Sequence, residues 1–141
     1  MITVQILPID PDLVLPSYNH AGDAGMDLRS SIRRFMAPGE RVAIPTGVAM
    51  AIPPGYAGFV KSRSGLARHH GIAVLTGTVD CGFRGEWDVI LLNTSEHGFN
   101  INRGDRIAQV VFKAVEHVEL SVVAELPESE RGLQGYGSSG R

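Results

Sequence analysis

The chain has 141 residues, of which 43% are apolar, and a formal net charge of −2 at pH 7. This length predicts one domain with a substantial core, and the near-neutral charge predicts neither stable nucleic-acid binding nor attraction to a membrane. The single cysteine, Cys81, excludes an intramolecular disulfide and a multi-cysteine zinc site. Because neither a signal peptide nor an apolar run of about 20 residues is recognisable, a cytoplasmic protein is expected.

Seventeen glycines and eight prolines interrupt a sequence rich in β-branched residues, which predicts many short strands. Small residues lead into one strand that carries Asp27. The other strands are expected at residues 2–7, 41–43, 48–52, 56–61, 72–79, 87–92, 99–102 and 106–112, and a last apolar run covers residues 115–126. The expected outcome is an all-β barrel or sandwich.

One short window, residues 64–71, has helical character. Ser64 is a plausible N-cap and Gly71 a plausible stop. The backbone N–H groups at such a helix start favour an anion, Arg63 adds a forked donor, and Gly65 lets a phosphate approach the backbone. Surface turns also contain Arg-Ser-Gly, so this motif alone leaves both interpretations open.

A turn at residues 80–85 separates the β-rich runs 72–79 and 87–92 and predicts a stiff hairpin. The turn carries an acidic group, Asp80, and an aromatic face, Phe83. Together they suit a small ring with hydroxyls, because the acid can position a polar atom or a water while the ring packs on an apolar face. The alternative is a surface turn in which the aspartate caps the turn and the phenylalanine fills the core.

The C-terminal residues 131–141 contain four glycines, two serines and two arginines and predict a mobile tail. Arg131 and the glycine-serine run at residues 137–140 offer a second anion grip, and Tyr136 is placed to stack on a base. A plain linker remains the alternative. Together with Asp80 and Phe83, the two anion grips suggest a ligand with several phosphates, a sugar and a base. Asp27 suits a magnesium ion contacted through water.

Five segments in order resemble the trimeric dUTPase family: residues 21–28, 62–67, 77–86, 103–109 and 131–140. They cover essentially the whole chain. The resemblance implies an all-β fold, a jelly-roll-like β-barrel with one short helix and a flexible glycine-rich C-terminal tail. Residues 1–126 would form the nucleotidohydrolase barrel, and residues 127–141 the arm that closes a neighbouring subunit's active site. Each site of the homotrimer would take segments one, two and four from one subunit, three from the next and five from the third.

The resemblance also implies hydrolysis of dUTP to dUMP and pyrophosphate by magnesium-assisted attack of water on the α-phosphorus. That reaction limits uracil in DNA and supplies dUMP for dTMP synthesis. Asp80 would hold the 3′-hydroxyl and position the attacking water, Gln109 would contact the α-phosphate region, and Arg131 would reach the γ-phosphate. Asp27 would contact Mg2+ through water. The remaining implied substrate-binding residues are Arg63, Ser64, Gly65, Val74, Gly77, Thr78, Val79, Phe83, Tyr136, Gly137 and Ser138.

Three residues depart from the family pattern: Phe83 replaces the usual Tyr, Gln134 a usual Gly, and Val74 the Asn of many bacterial members. One alternative is the related dCTP deaminase, or a bifunctional enzyme on the same fold. Deaminases of that group carry a Glu as proton shuttle, whereas the matching position here falls near Ile90 in an apolar run. Another alternative is a non-catalytic nucleotide sensor or protein-binding regulator on the same fold.

Overall fold

A computed structural model describes residues 2–134 and contains ten strands and one short helix within that range. The strands are β1 Gln5–Pro8, β2 Met26–Arg29, β3 Arg34–Met36, β4 Arg41–Ala51, β5 Tyr56–Lys61, β6 Ile72–Val74, β7 Thr78–Val79, β8 Glu86–Asn93, β9 Phe99–Ile101 and β10 Arg106–Ala114. The helix, α1, covers Ser64–His70. In the described part of the chain, no helix has the length and apolar character needed to cross a membrane. The predicted all-β class is confirmed.

Two four-stranded antiparallel sheets build the barrel. The first has the strand order β1-β4-β8-β6 and the second β2-β10-β5-β7, while β3 and β9 form a small third sheet. Apolar residues from all three sheets form one core cluster; its largest fully buried members include Trp87, Leu28, Met36, Ile44, Leu91 and Ile107. Alternate residues of β8 are buried, as expected for a strand with one face on the core.

The segment predicted as two strands, 41–43 and 48–52, is the single strand β4. Its pairing with β8 shifts register between Pro45 and Ala49, so the proline-glycine signal marks a bulge and not a loop. Gly47 adopts φ +70, and its N–H donates to the Glu86 carboxylate at 2.8 Å. A side chain distant in sequence therefore satisfies the backbone group that the bulge leaves unpaired.

The segment predicted as one strand, 72–79, is divided between the two sheets. β6 pairs with β8 in the first sheet, whereas β7 pairs with β5 in the second. The intervening backbone is held on both sides, since Leu75 N–H donates to the Ile90 carbonyl at 2.8 Å and Val60 N–H donates to the Gly77 carbonyl at 3.1 Å. The turn at residues 80–85 therefore joins strands of different sheets and does not close a simple hairpin.

Helix α1 begins one residue earlier than predicted. Arg63 occupies the N-cap position with extended backbone, and its carbonyl accepts the Ala67 N–H at 3.0 Å, so Ser64 is the first helical residue. The predicted stop is confirmed, because Gly71 lies in the left-handed region at φ 67 and its N–H donates to the Ala67 carbonyl at 3.2 Å.

The apolar run at residues 115–126 forms no strand in the structure. Val118, Leu120 and Val122 alternate along it with exposed fractions of 79%, 87% and 97%. Their period of two is typical of a strand, so this segment has the pattern of a sheet element without a sheet partner within the described residues.

Candidate active site

One cleft of about 260 Å3, here called the Gln109 cleft, lies where β2, β10 and the start of α1 meet. Strand register explains the meeting, because Gln109 on β10 pairs with Asp27 on one side and with Lys61 on the other. The chain leaves β5 at Lys61 and enters α1 within three residues, which brings the helix start to the same place. The residues that line the cleft are Asn19, Asp23, Ala24, Gly25, Asp27, Arg63, Ser64, Gly65 and Gln109.

Asp27 is the centre of a polar cluster beside this cleft. Its side chain is 8% exposed and accepts three hydrogen bonds, from Arg63 Nε at 2.9 Å, Asn19 Nδ2 at 2.6 Å and Arg106 Nη1 at 3.4 Å. A buried carboxylate is tolerated when charged donors surround it, as here. The consequence is a fixed Arg63, whose Nη1 also donates to the Arg106 carbonyl at 3.2 Å.

Gln109 and the helix start provide uncharged donors in the same cleft. The Gln109 Nε2 donates to the Ser62 carbonyl at 3.0 Å, and the Ser62 hydroxyl accepts the Val74 N–H at 2.9 Å. Ser64 and Gly65 are exposed, and no side chain caps the first turn of α1. The first-turn N–H groups, which have no partner inside a helix, are therefore not occupied by a capping side chain.

Asp23 adds a carboxylate to the rim of the Gln109 cleft. The His20 backbone N–H donates to Asp23 Oδ2 at 2.9 Å, and this bond lowers the pKa of the Asp23 carboxyl. Asp23 is therefore ionised at neutral pH. Within residues 2–134 no group of three His, Cys, Asp or Glu side chains is placed to hold a metal ion.

A second cleft of about 290 Å3, here called the Asp80 cleft, lies beside the turn at residues 80–85. The turn is closed by the Phe83 N–H, which donates to the Asp80 carbonyl at 3.1 Å. The Phe83 ring lies over Gly85, where an added Cβ would stand 2.7 Å from Cζ. With 46% of its surface exposed, Phe83 does not fill the core, so that alternative is wrong. The residues lining the cleft are Thr76, Thr78, Val79, Asp80, Phe83, Glu86, Trp87 and Asp88.

The structure groups the predicted site residues into two sets. Asp27, Arg63, Ser64, Gly65 and Gln109 share one cleft; Thr78, Val79, Asp80 and Phe83 share the other; and no described residue lines both.

Val74, Gly77 and Arg131 line neither cleft. Arg131 lies in an exposed turn, where its Nε donates to the Gln134 carbonyl at 3.1 Å. Tyr136, Gly137 and Ser138 lie outside the described residues.

Sequence reasoning missed six contributors to the Gln109 cleft and its surroundings: Asn19, Asp23, Ala24, Gly25, Ser62 and Arg106. All but Asn19 belong to the recognised segments, so closer attention to those segments would have included them. Asn19 carries no local signal. It reaches Asp27 because a β-bridge joins Ser17 to Asp27.

The β-barrel and its cleft, where the guanidinium of Arg63 lies beside the start of α1, define a protein suited to an anionic ligand. The chain belongs to the dUTPase family, since the family model described as dUTPase matches residues 12–140. It is thereby a hydrolase of the dUTP diphosphatase class.

Similar proteins support this membership. The deoxyuridine 5'-triphosphate nucleotidohydrolases of Streptomyces coelicolor and Thermobifida fusca are 49% and 50% identical over 142 residues, covering 99% of this chain and 78% and 79% of theirs. The dUTPase of Staphylococcus bacteriophage 80alpha with dUPNHPP superposes with a TM-score of 0.93 at 31% identity, covering 100% of both chains. A mutant dUTPase of the S. aureus phage phi11, described with a structural Mg(II) ion, gives a TM-score of 0.82 at 28% identity, covering 88% of this chain and 98% of that one.

Proposed function

We propose that this protein hydrolyses dUTP to dUMP and pyrophosphate by attack of water on the α-phosphorus. The observation that carries the proposal is the Gln109 cleft, where Arg63, the start of α1 and the Gln109 amide converge. Arg63 uses Nε and Nη1 for protein acceptors, and the remaining N–H donors of its fixed guanidinium suit phosphate oxygens. Ser64 and Gly65 add hydroxyl and backbone donors. Such donors, held before the substrate arrives, favour the charge that develops in phosphoryl transfer.

The nucleoside end of dUTP is assigned to the Asp80 cleft. The Asp80 carboxylate accepts a hydrogen bond from the 3′-hydroxyl and orients the attacking water. The half-exposed Phe83 ring packs on the deoxyribose. The backbone of the segment that carries Val74, Gly77, Thr78 and Val79 binds uracil, beside the Phe83 ring. From the arm, Arg131 binds the γ-phosphate, Tyr136 stacks on uracil, and Gly137 and Ser138 add phosphate contacts.

Mg2+ is proposed as the cofactor, and the residues of the Gln109 cleft fit it. Magnesium usually keeps several waters and takes other oxygens from substrate phosphates, so a site without a full protein ligand set suits it. Both Asp27 oxygens already accept protein donors, which favours contact with the ion through water. The ionised Asp23 carboxylate lines the same cleft. When bound, the ion neutralises charge on the phosphates.

A homotrimer with shared active sites is proposed as the working form. In this proposal residues 1–126 make up the barrel domain, with residues 115–126 following its last strand, and residues 127–141 make up the arm that reaches a neighbouring site. Two features support association: the Gln109 and Asp80 clefts have no lining residue in common, and Val118, Leu120 and Val122 present 79–97% of their surface to water. Several strongly exposed apolar side chains close together in the chain are typical of an interface. In the cytoplasm the reaction would limit uracil in DNA and supply dUMP for dTMP synthesis.

The proposal is tested by measuring pyrophosphate release with Mg2+ and separate samples of dUTP, dCTP, dTTP and UTP, with ammonia assayed alongside. Pyrophosphate from dUTP alone is the expected result. Comparable release from dCTP, or any ammonia, would contradict dUTP specificity and point to deaminase chemistry. No release from any of the four nucleotides would overturn hydrolysis and favour a nucleotide sensor.

A further inference from the structure

The Gln109 side chain lies directly against the backbone of Gly25. A Cβ added at Gly25 would stand 2.0 Å from Gln109 Oε1, 2.8 Å from Cδ and 3.1 Å from Cβ. Gly25 immediately precedes β2 and lies two residues before Asp27, which is the register partner of Gln109, so the contact runs diagonally from β10 to the residue that leads into β2. No residue with a side chain fits at position 25 while Gln109 keeps this conformation.

The neighbouring carbonyl of Ser62 fixes which way the Gln109 amide points. A carbonyl oxygen only accepts, so the amide nitrogen faces Ser62 at 3.0 Å and Oε1 faces Gly25. Ser62 is itself held, because its hydroxyl accepts the Val74 N–H at 2.9 Å. The amide therefore presents an acceptor over Gly25, and its second N–H, not used by Ser62, is available to the cleft that both residues line.

We propose that Gly25 is a positioning residue for Gln109, whose bare backbone makes room for the amide in the orientation that serves the reaction. The inference rests on the proposed function, in which Gln109 contacts the α-phosphate region. Gly25 acts through Gln109 and not on the substrate. With a side chain at position 25, the amide must leave Ser62, and its donor and acceptor lose their places at the reacting phosphate.

Two features make the steric effect separable from unfolding. Gly25 is not among the glycines with positive φ, so alanine is compatible with its backbone. The closest clash is with the far end of a flexible side chain, which can move without displacing a strand. Gly22, three residues earlier, is a matched control, since an added Cβ there has nothing within 4 Å.

The test is a double-mutant cycle on dUTP hydrolysis with Gly25→Ala, Gln109→Ala and the double variant, with Gly22→Ala as control. A displacement of about 1 Å can cost about 100-fold in rate, so we expect Gly25→Ala to lower kcat by about 10- to 100-fold while KM changes little. Gly22→Ala should match the unmodified enzyme. The double variant should be no slower than Gln109→Ala alone, because Gly25 acts only through that side chain.

Other outcomes overturn the inference in distinguishable ways. An unchanged kcat for Gly25→Ala, or a double variant in which the two losses multiply, refutes the positioning role and leaves the proposed function standing. Normal turnover for Gln109→Ala refutes the assigned role of Gln109 itself. If Gly25→Ala folds poorly, the double variant decides, since removal of the clashing amide should restore the melting temperature; failure to restore it rejects the contact.

Discussion

The ion cluster around Asp27 leads to a prediction about stability. Asp27→Asn keeps the shape but removes the charge and turns an amide donor toward donors of Arg63, Asn19 or Arg106. A hydrogen bond to a charged group contributes about 1.5–3 kcal/mol, and breaking a fully buried ion pair costs about 3–5 kcal/mol. Here Arg63 is 26% exposed and Arg106 40% exposed, so water partly replaces the lost carboxylate. We therefore expect the free energy of unfolding to fall by about 2–3 kcal/mol.

Urea unfolding in EDTA, without nucleotide and at a fixed protomer concentration, measures this fall in the free energy of unfolding separately from metal binding. Asp12→Asn is the control, because Asp12 is exposed and should change the free energy of unfolding by less than about 0.5 kcal/mol. A loss below about 0.5 kcal/mol for Asp27→Asn would refute the structural role of the cluster. A loss that appears only when Mg2+ is present would assign the effect to the ion instead.

Three further predictions concern the shared site and the acid limit of stability. Homotrimers of Asp80→Asn or of Gln109→Ala should lose most turnover. Trimers reassembled from an equal mixture of the two variants should recover about a quarter of the normal rate, since each mixed trimer has one site at which an unmodified Asp80 meets an unmodified Gln109. No recovery would place both residues in one subunit's site. Deleting residues 131–141 should cut turnover heavily with circular dichroism unchanged, and an active truncation would refute the closing arm. The Ala37 N–H donates to the Glu40 carboxylate and lowers the pKa of Glu40 below 4.5, so ionised Glu40 stabilises the fold above that pH and this stabilisation is lost as the pH falls. Glu40→Gln should therefore make the free energy of unfolding depend less steeply on pH below about pH 4.5. An unchanged slope would contradict this.

Local patterns predicted the elements whose signals lie within a few residues. The stop at Gly71 follows from a backbone conformation that glycine adopts easily, and β8 buries alternate residues, as a strand with one face on the core does. The errors arose where distant groups decide. Residues 45–47 continue β4 because Glu86, some 40 residues away, binds the Gly47 N–H, and residues 72–79 divide because β8 and β5 offer partners in different sheets.

The candidate site shows the same contrast between what local sequence signals predict and what distant residues decide. The recognised segments name the residues of both clefts, yet the contacts that fix them come from tertiary structure. Asn19 carries no motif and reaches Asp27 through a bridge between loop and strand. Gly25 resembles any small residue before a strand until the Gln109 amide is placed against it. Residue type indicates which chemistry is available, whereas strand register decides which residues meet.

Strand register also supports the proposed sharing of the active site between subunits. Gln109 pairs with Lys61 on β5, while Val79 pairs with Gly58, which places Asp80 level with Ala57. Four residues of β5 therefore separate the two levels, about 13 Å at about 3.3 Å per residue, and β10 and β7 lie on opposite sides of β5. A general base must come within about 3 Å of the water it activates, or act through one further water. This separation supports the proposed homotrimer, in which the Asp80 that positions water at a phosphate beside Gln109 would come from another copy of the chain.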